Sequence, residues 1–197
     1  MIKQPIDLTK GLTKGLTEDL TEHELSSEII ASGGMLTVKR DQVRTANGSQ
    51  SQREYVLHPG AVVVVPLLEN GNIVLERQFR YPLRQTFIEL PAGKIDKGED
   101  ILTTGQRELL EETGYAAGEW VKLGHQHPCI GYSNEVIHMY LARGLSLGAH
   151  SRDEDECLDI FELPFATALD MVTRCEITDG KTIVALFFAA QYLKSHA

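Results

Sequence analysis

The pattern of apolar and polar positions along the chain predicts mostly strands, with helices towards the end. An almost wholly apolar run from Ala61 to Leu68 is typical of a strand that is buried on both faces. Shorter apolar runs that are bounded by turn residues such as Asn47-Gly48 predict further strands on both sides of it. These further strands are two runs within residues 27–43, and residues 53–58, 73–81, 120–125, 136–142 and 158–163.

Three segments carry helical signals. Apolar residues recur at the 3.6-residue period in residues 165–173 and 182–193. Between the strands, Asp100 is a plausible N-cap and Gly114 a natural left-handed stop, which bracket a third helix. We expect Leu102, Gln106, Leu109 and Leu110 to form its inward face. Strands on both sides of one helix, with helices at the end, predict an α/β/α sandwich with a mixed sheet.

The N-terminal region has a different pattern. Residues 8–25 repeat a short unit in which a leucine recurs every four residues. Its leucines are Leu8, Leu12, Leu16 and Leu20. A helix would align them in one stripe, but Gly11 and Gly15 would each cost about 1 kcal/mol relative to alanine. Two interpretations stay open for residues 1–27, namely a polar extension and a segment that packs on a second subunit.

Composition limits the functional classes. The 197 residues suit one domain with a small appendage, and the net charge of −9 disfavours nucleic acid or an anionic membrane as a partner. No apolar run approaches the roughly 18 residues of a membrane helix, and the start lacks the apolar core of a signal peptide. Cys129, Cys157 and Cys175 are odd in number and widely spaced, so we expect reduced thiols, no structural zinc and a cytoplasmic location.

The predicted acidic helix carries the first candidate chemistry. Glu108, Glu111 and Glu112 are related by three and four residues and would share one face. At a separation of ~6 Å and an effective dielectric constant of ~20, each pair would repel by about 3 kcal/mol. Hard oxygen ligands of this kind suit Mg²⁺, with Mn²⁺ as a substitute. For the helix taken alone, a solvated acidic face is the alternative.

The segment from Gly93 to Tyr115 resembles the Nudix box, Gx5Ex7REUxEExGU, in which U is a bulky apolar residue. Every defined position is filled, by Gly93, Glu99, Arg107, Glu108, Leu109, Glu111, Glu112, Gly114 and Tyr115. The resemblance implies a loop–helix–loop that binds divalent metal and hydrolyses a nucleoside diphosphate linked to another group.

Three further segments are similar to the ADP-ribose and GDP-mannose pyrophosphatases of that family. They are Leu75 to Tyr81, Glu89 to Gly93 and Asp179 to Thr182, and the whole resemblance covers about residues 28–193. It implies a homodimer completed by exchange of the N-terminal sheet, which here would be residues 28–58, ahead of a hydrolase domain at residues 59–197. A sheet this small is rarely stable alone, so a partner makes physical sense.

The resemblance also implies a set of site residues. The implied metal ligands are Glu108, Glu112, Glu156 and the carbonyl of Ala92. The implied catalytic residues are Glu154, Glu156, Arg107 and Glu111, with Arg107 orienting the carboxylates of the box. The implied substrate-binding residues are Arg80, Glu89, Ile130 and Glu135. Arginine suits the diphosphate through its planar fork of donors, although an ordinary surface charge is the alternative for Arg80.

The acidic loop Asp153 to Glu156 is the source of the expected catalytic base. Counting back from Pro164 places Glu154 at the base position and Glu156 at the ligand position. A register slip of two residues would exchange these roles. A solvated run of charge is the alternative for the loop in isolation.

One position departs from the family pattern and widens the expected substrate range. ADP-ribose pyrophosphatases carry a proline fifteen residues past the box, where this chain has Ile130. We therefore expect hydrolysis of ADP-ribose and of other nucleoside diphosphate sugars such as GDP-mannose. Two rival functions stay open: a house-cleaning nucleoside triphosphatase, and a non-catalytic Nudix sensor of nucleotide sugars.

Overall fold

The computed structural model describes residues 19–148 and 157–196, and the chain divides into two compact units between Val56 and Leu57. In the N-terminal unit, strands lie in the order β1-β2-β3, and β1 pairs antiparallel with β2. The strands are β1 (His23–Ser32), β2 (Thr37–Arg44) and β3 (Gln50–Leu57). β1 thus begins at His23, inside the segment that the sequence pattern assigned to the extension. The repeat before Asp19, with Leu8, Leu12 and Leu16, lies outside the described residues.

The described residues of the second unit form two sheets, three α-helices and a short 3-10 helix (Tyr81–Leu83). One sheet has the order β7-β4-β9-β8, and the other has the order β10-β5-β6. The strands are β4 (Ala61–Pro66), β5 (Asn72–Arg80), β6 (Gln85–Glu89), β7 (Ala92–Lys94), β8 (Tyr115–Gln126), β9 (Ile137–Leu147) and β10 (Leu158–Pro164). The helices are α1 (Ile101–Thr113), α2 (Phe165–Thr173) and α3 (Gly180–Ser195). Because β4 runs parallel to β9 and antiparallel to β7, the first sheet is mixed, as predicted.

The buried strand β4 separates two apolar clusters. Since side chains alternate across a strand, Val62 and Val64 pack with Leu109 of α1, on one face of the sheet. Val63 and Val65 belong to the cluster on the other face, which includes residues of α2 and α3. The wholly apolar run of β4 therefore serves two cores, and the predicted α/β/α arrangement is confirmed.

Local signals define the ends of α1 as predicted. The Asp100 carboxylate accepts hydrogen bonds from the backbone N–H groups of Leu102 and Thr103, at 2.9 and 3.3 Å. Gly114 ends the helix with a φ of 75°, a left-handed conformation that glycine adopts without strain.

The inward face of α1 agrees with the prediction at Leu109 and Leu102, which belong to or pack against the cluster under the helix, and differs elsewhere. Gln106 is exposed, whereas Gly105, Leu109 and Glu112 are buried. A Cβ atom on Gly105 would lie 3.1 Å from Val62, so the missing side chain lets α1 approach β4 closely. The face that touches the sheet is therefore set by a glycine and includes a carboxylate, which an apolar pattern does not identify.

Candidate active site

Arg107 stands at the centre of the acidic face of α1. Its guanidinium lies 2.9 Å from Glu99, 2.8 Å from Glu108 and 2.9 Å from Glu111, and Nη2 donates to the carbonyl oxygen of Lys94 at 3.2 Å. We call Arg107 and these three glutamates the Arg107 cluster. The repulsion that the sequence predicted is thus partly offset by an arginine of the same helix, which leaves the cluster with an excess of negative charge.

The hydrogen bonds to Arg107 also set the ionisation of its partners. They lower the pKa of Glu99 to about 2, against the opposing effect of burial, and a hydrogen bond from the Thr104 hydroxyl adds to the lowering. The hydrogen bond with Glu99 is likewise the main reason that the pKa of Arg107 is raised. Both groups therefore remain charged at neutral pH.

Glu112 and Glu108 meet the short strand β7. Glu112 is only 3% exposed, and its Oε2 accepts the N–H of Ala92 at 2.9 Å. A Cβ atom placed on Gly93 would lie 1.9 Å from the carboxyl carbon of Glu108. The carboxylate of Glu108 thus occupies the space that a side chain at position 93 would need, which explains the glycine at this position.

This corner of the molecule suits a hard divalent cation by the chemistry of its donors. Carboxylates of Glu108 and Glu112 lie beside the Ala92–Gly93 backbone, and carboxylate and carbonyl oxygens are the ligands that Mg²⁺ and Mn²⁺ prefer. Within residues 19–148 and 157–196, no group of three or more His, Cys, Asp or Glu side chains is arranged to hold a metal ion. The predicted loop residues Glu154 and Glu156 lie outside the described residues.

A second charged cluster surrounds Glu89 at the end of β6. Arg80 donates to both carboxylate oxygens of Glu89, from Nε at 2.7 Å and from Nη2 at 2.6 Å. Lys181 of α3 donates to the same carboxylate and to Asp179, the latter at 3.0 Å. We call Arg80, Glu89, Asp179 and Lys181 the Arg80 cluster. A cleft of about 410 Å³ opens beside it. The cleft is lined by Arg80, Leu83, Phe87, Glu89, Thr178, Asp179, Gly180 and Lys181.

Burial and charge oppose each other at Glu89. Burial alone would raise the pKa of Glu89, but the hydrogen bond from Arg80 and the charge of Lys181 bring it below its ordinary value. Asp179 caps α3 by accepting the N–H of Thr182 at 3.0 Å and its hydroxyl at 2.6 Å. The Thr182 hydroxyl accepts the N–H of Leu90 at 2.9 Å, which connects the start of α3 to the segment after Glu89.

The other two predicted substrate residues, Ile130 and Glu135, do not belong to the Arg80 cluster. Ile130 is 85% exposed within a turn that follows β8. Glu135 Oε1 lies 3.6 Å from His58 Nδ1, and the neighbouring Asn134 accepts the N–H of His58 at 2.8 Å. Glu135 is thus held at the start of the domain beside His58.

Two residues without a predicted role, Glu99 and Lys181, make several contacts in the structure. Glu99 was identified only as a position in the box, yet it makes two hydrogen bonds with Arg107. Lys181 was noted only within the Asp179 to Thr182 segment, and its contact with Glu89 joins residues 92 positions apart. The one signal that could have indicated Lys181 is its place just after the N-cap Asp179, which brings its charge to the start of a helix.

Comparison with known proteins decides the family. The family described as NUDIX domain matches residues 57–182. The chain belongs to the Nudix family. This membership confirms the prediction from the box, and Nudix hydrolases generally use divalent metal ions.

The relatives of this Nudix protein include two from Bacillus species. It is 40% identical to an ADP-ribose pyrophosphatase of Bacillus subtilis (strain 168) over 86% of this chain and 91% of the relative. It is 41% identical to a methanol dehydrogenase activator of Bacillus methanolicus over the same shares of the two chains.

A solved structure gives the same fold. The crystal structure of an ADP compounds hydrolase superimposes with a TM-score of 0.83 at 24% identity, over 92% of this chain and 99% of that one. At this sequence identity the match shows only the fold, and it confirms the predicted Nudix architecture. Across the described residues, no helix has the length and apolar character that crossing a membrane requires.

Proposed function

We propose that this protein hydrolyses the pyrophosphate bond of ADP-ribose and of other nucleoside diphosphate sugars, with Mg²⁺ as the physiological metal and Mn²⁺ as a substitute. The products are a nucleoside monophosphate and a sugar phosphate. The observation that carries the proposal is the corner at Gly93, where the Glu108 carboxylate fills the space of a side chain and Glu112 is bonded to Ala92. The ADP-ribose pyrophosphatase of Bacillus subtilis supports the choice of substrate.

The residues proposed to hold the metal are Glu108, Glu112, Glu156 and the carbonyl of Ala92. The metal would supply neutralisation of phosphate charge and a lower pKa for the attacking water. Arg107 orients the carboxylates of Glu108 and Glu111 through its ion pairs, at 2.8 and 2.9 Å. The orientation of the Glu112 carboxylate is set instead by its burial and by the hydrogen bond from the Ala92 N–H.

Arg80 is the proposed ligand of the substrate's diphosphate. Its side chain is 41% exposed although its partner Glu89 is almost fully buried, so the guanidinium reaches the cleft while the fork to Glu89 holds its plane. Glu154 is the proposed general base that takes the proton of the attacking water, with Glu156 in this role if the register is shifted by two. Ile130 and Glu135 are proposed to contact the sugar end.

We also propose a homodimer that is completed by the sheet at residues 28–58 and works in the cytoplasm. β1 is exposed along its whole length, and its apolar Ile29 is 63% exposed in a single copy. A second copy would cover this surface. Sedimentation should show roughly twice 21.9 kDa at micromolar concentration. A monomer under these conditions would contradict the proposal.

A substrate panel tests the function. Purified protein is incubated with ADP-ribose, GDP-mannose, ADP-glucose and ATP, with and without Mg²⁺, and the products are separated by ion-exchange chromatography. We expect cleavage of ADP-ribose and of at least one other nucleoside diphosphate sugar, within about a hundredfold in kcat/KM. Preferential loss of pyrophosphate from ATP would indicate the triphosphatase instead. Tight binding of a nucleotide sugar without turnover would indicate the sensor.

A further inference from the structure

The Arg80 cluster places two cations on one buried carboxylate. The side chain of Glu89 is 2% exposed, and both Arg80 and Lys181 donate to its Oε2. One opposite charge is enough to balance a buried carboxylate, and the fork from Arg80 already supplies it. Lys181 is a second cation in this place, where Glu89 is not the only carboxylate: the pKa of Arg80 is raised mainly by its hydrogen bond with Glu89, and the charges of Glu76 and Asp179 add to this.

Arg80 and Lys181 differ in how far their side chains are exposed. The Arg80 side chain is 41% exposed, whereas the Lys181 side chain is 14% exposed. A guanidinium carries five N–H donors in one plane, and the fork to Glu89 uses two of them. Since the fork fixes this plane, the other donors of Arg80 are directed away from Glu89, at the edge of the cleft.

Asp179 does not cancel the charge of Lys181 completely. Its Oδ2 accepts from Lys181 at 3.0 Å, and it also accepts the N–H and the hydroxyl of Thr182 as the N-cap of α3. The N-terminus of a helix carries a partial positive charge, which compensates a carboxylate at this position. With two cations and two carboxylates, the cluster is therefore close to neutral and is not acidic like the Arg107 cluster.

We propose that Lys181 is a positioning residue for the substrate: it holds and neutralises Glu89, so that the outward donors and the charge of Arg80 remain available to the diphosphate. This inference rests on the proposed function, in which Arg80 binds the diphosphate. Lys181 acts through Glu89 and Arg80 and does not itself touch the substrate.

The effect of Lys181 on Arg80 is electrostatic. Without Lys181, Arg80 would be the one cation of the cluster against the carboxylates of Glu89 and Asp179, and the resulting net negative charge would disfavour a phosphate. The guanidinium is also drawn towards Glu89, since an unpaired charge in a buried place is costly. A change at Lys181 should therefore weaken substrate binding more than the chemical step.

A double-mutant cycle tests this coupling. Lys181→Met, Arg80→Ala and the double variant are compared with wild type for hydrolysis of ADP-ribose at saturating Mg²⁺. Lys181→Met should raise KM about tenfold and change kcat by less than about threefold. On the Arg80→Ala background, Lys181→Met should change kcat/KM by less than about twofold, because the group through which it acts is gone. Equal effects on both backgrounds would overturn the proposal.

Two variants separate positioning from a general loss of charge. Lys181→Arg keeps a donor and a charge and should recover most of the lost affinity. Lys194→Met removes an exposed lysine from the last turn of the same helix and should match wild type. If Lys181→Met does not fold, Lys181→Gln replaces it in the cycle. A failure of Lys181→Arg to recover affinity, or a tenfold effect of Lys194→Met, would count against the proposal.

A measurement without substrate distinguishes failure of this inference from failure of the proposed function. The ¹H–¹⁵N signal of the Arg80 Nε group reports its hydrogen bond to Glu89 directly. It should shift in Lys181→Met and stay unchanged in Lys194→Met. If wild type cleaves no member of the substrate panel, the proposed function fails, and this signal still decides whether Lys181 positions Arg80. An unchanged signal in Lys181→Met would refute the positioning role even in an active enzyme.

Discussion

The Arg107 cluster and the Arg80 cluster each contain one arginine, but their charge balance differs: the first has an excess of two carboxylates, and the second has two cations and two carboxylates. In the Arg107 cluster a single cation faces Glu99, Glu108 and Glu111. In the Arg80 cluster two cations meet on Glu89. The excess of carboxylate in the first cluster favours a metal cation. In the second cluster Lys181 balances the carboxylates, so that the partly exposed Arg80 can attract an anion. The same residue type therefore serves opposite ends of one proposed reaction.

Among the changes that test this comparison, removing the charge of Glu112 should cause the largest loss of activity. Glu112→Gln keeps the size of the side chain and takes away a proposed metal ligand, so kcat should fall at least ~100-fold at fixed Mg²⁺. The thermal midpoint is measured alongside, to show that the fold is kept. Glu119→Gln, which alters an exposed pair with Arg143, is the matched control. Near-normal activity at saturating Mg²⁺ would remove the metal assignment.

The acidic loop offers the next test, because it would add a further carboxylate to the proposed metal site beside the Arg107 cluster. Glu154→Gln should lower kcat by about 100-fold with little change in KM, since proton transfer acts in the transition state. Steady-state kinetics on ADP-ribose measures both constants. If kcat falls further in Glu156→Gln than in Glu154→Gln, the register assumed for the loop is off by two residues. If neither variant differs from wild type, the base lies elsewhere.

A smaller effect is expected from a change in the Arg80 cluster. Arg80→Lys keeps the charge but loses the fork, so binding of the diphosphate should weaken by about tenfold in KM. The fork to Glu89 would also be lost, although its charge would stay balanced. Titration calorimetry with ADP in the absence of metal gives the same comparison without turnover. An unchanged KM would mean that Arg80 pairs with Glu89 but does not bind the diphosphate.

The smallest effect should appear in stability at acid pH. The pKa of Glu99 is about 2 in the folded protein, below its ordinary value of 4.5. Its contribution is therefore complete above about pH 4.5 and is lost as the pH falls towards 2. Glu99→Gln should be less stable than wild type at pH 7, and the difference should shrink across this window. Urea unfolding at several pH values measures it, and a difference that is independent of pH would contradict the assignment.

The sequence predicted those parts of the structure that depend on neighbouring residues. The caps of α1 at Asp100 and Gly114 were correct because both act within one turn of the helix. The polar start of β1 at His23 was not recognised, since its residues do not alternate between apolar and polar. β7 was also missed, because a strand as short as Ala92–Lys94 has no pattern of its own.

The candidate site could be predicted only as far as the box defines it. The box fixed Arg107 and its glutamates, which lie on one helix and the loop before it. On the inward face of α1, Leu109 and Leu102 were predicted correctly, but Gln106 is exposed. Periodicity does not show that Gly105 permits the close approach to β4. The contact of Lys181 with Glu89 depends on where the start of α3 meets the end of β6, and a pattern of neighbouring residues does not predict this approach.

The hydroxyl of Thr182 fixes the direction of a short chain of hydrogen bonds. The amide of Leu90 can only donate, so the threonine oxygen accepts from it, at 2.9 Å. The hydroxyl proton must then go to the Asp179 carboxylate, at 2.6 Å. Proton placement along this chain follows without any hydrogen atom being seen. Valine, which has the same shape as threonine, would break the chain at both ends, whereas serine would preserve it.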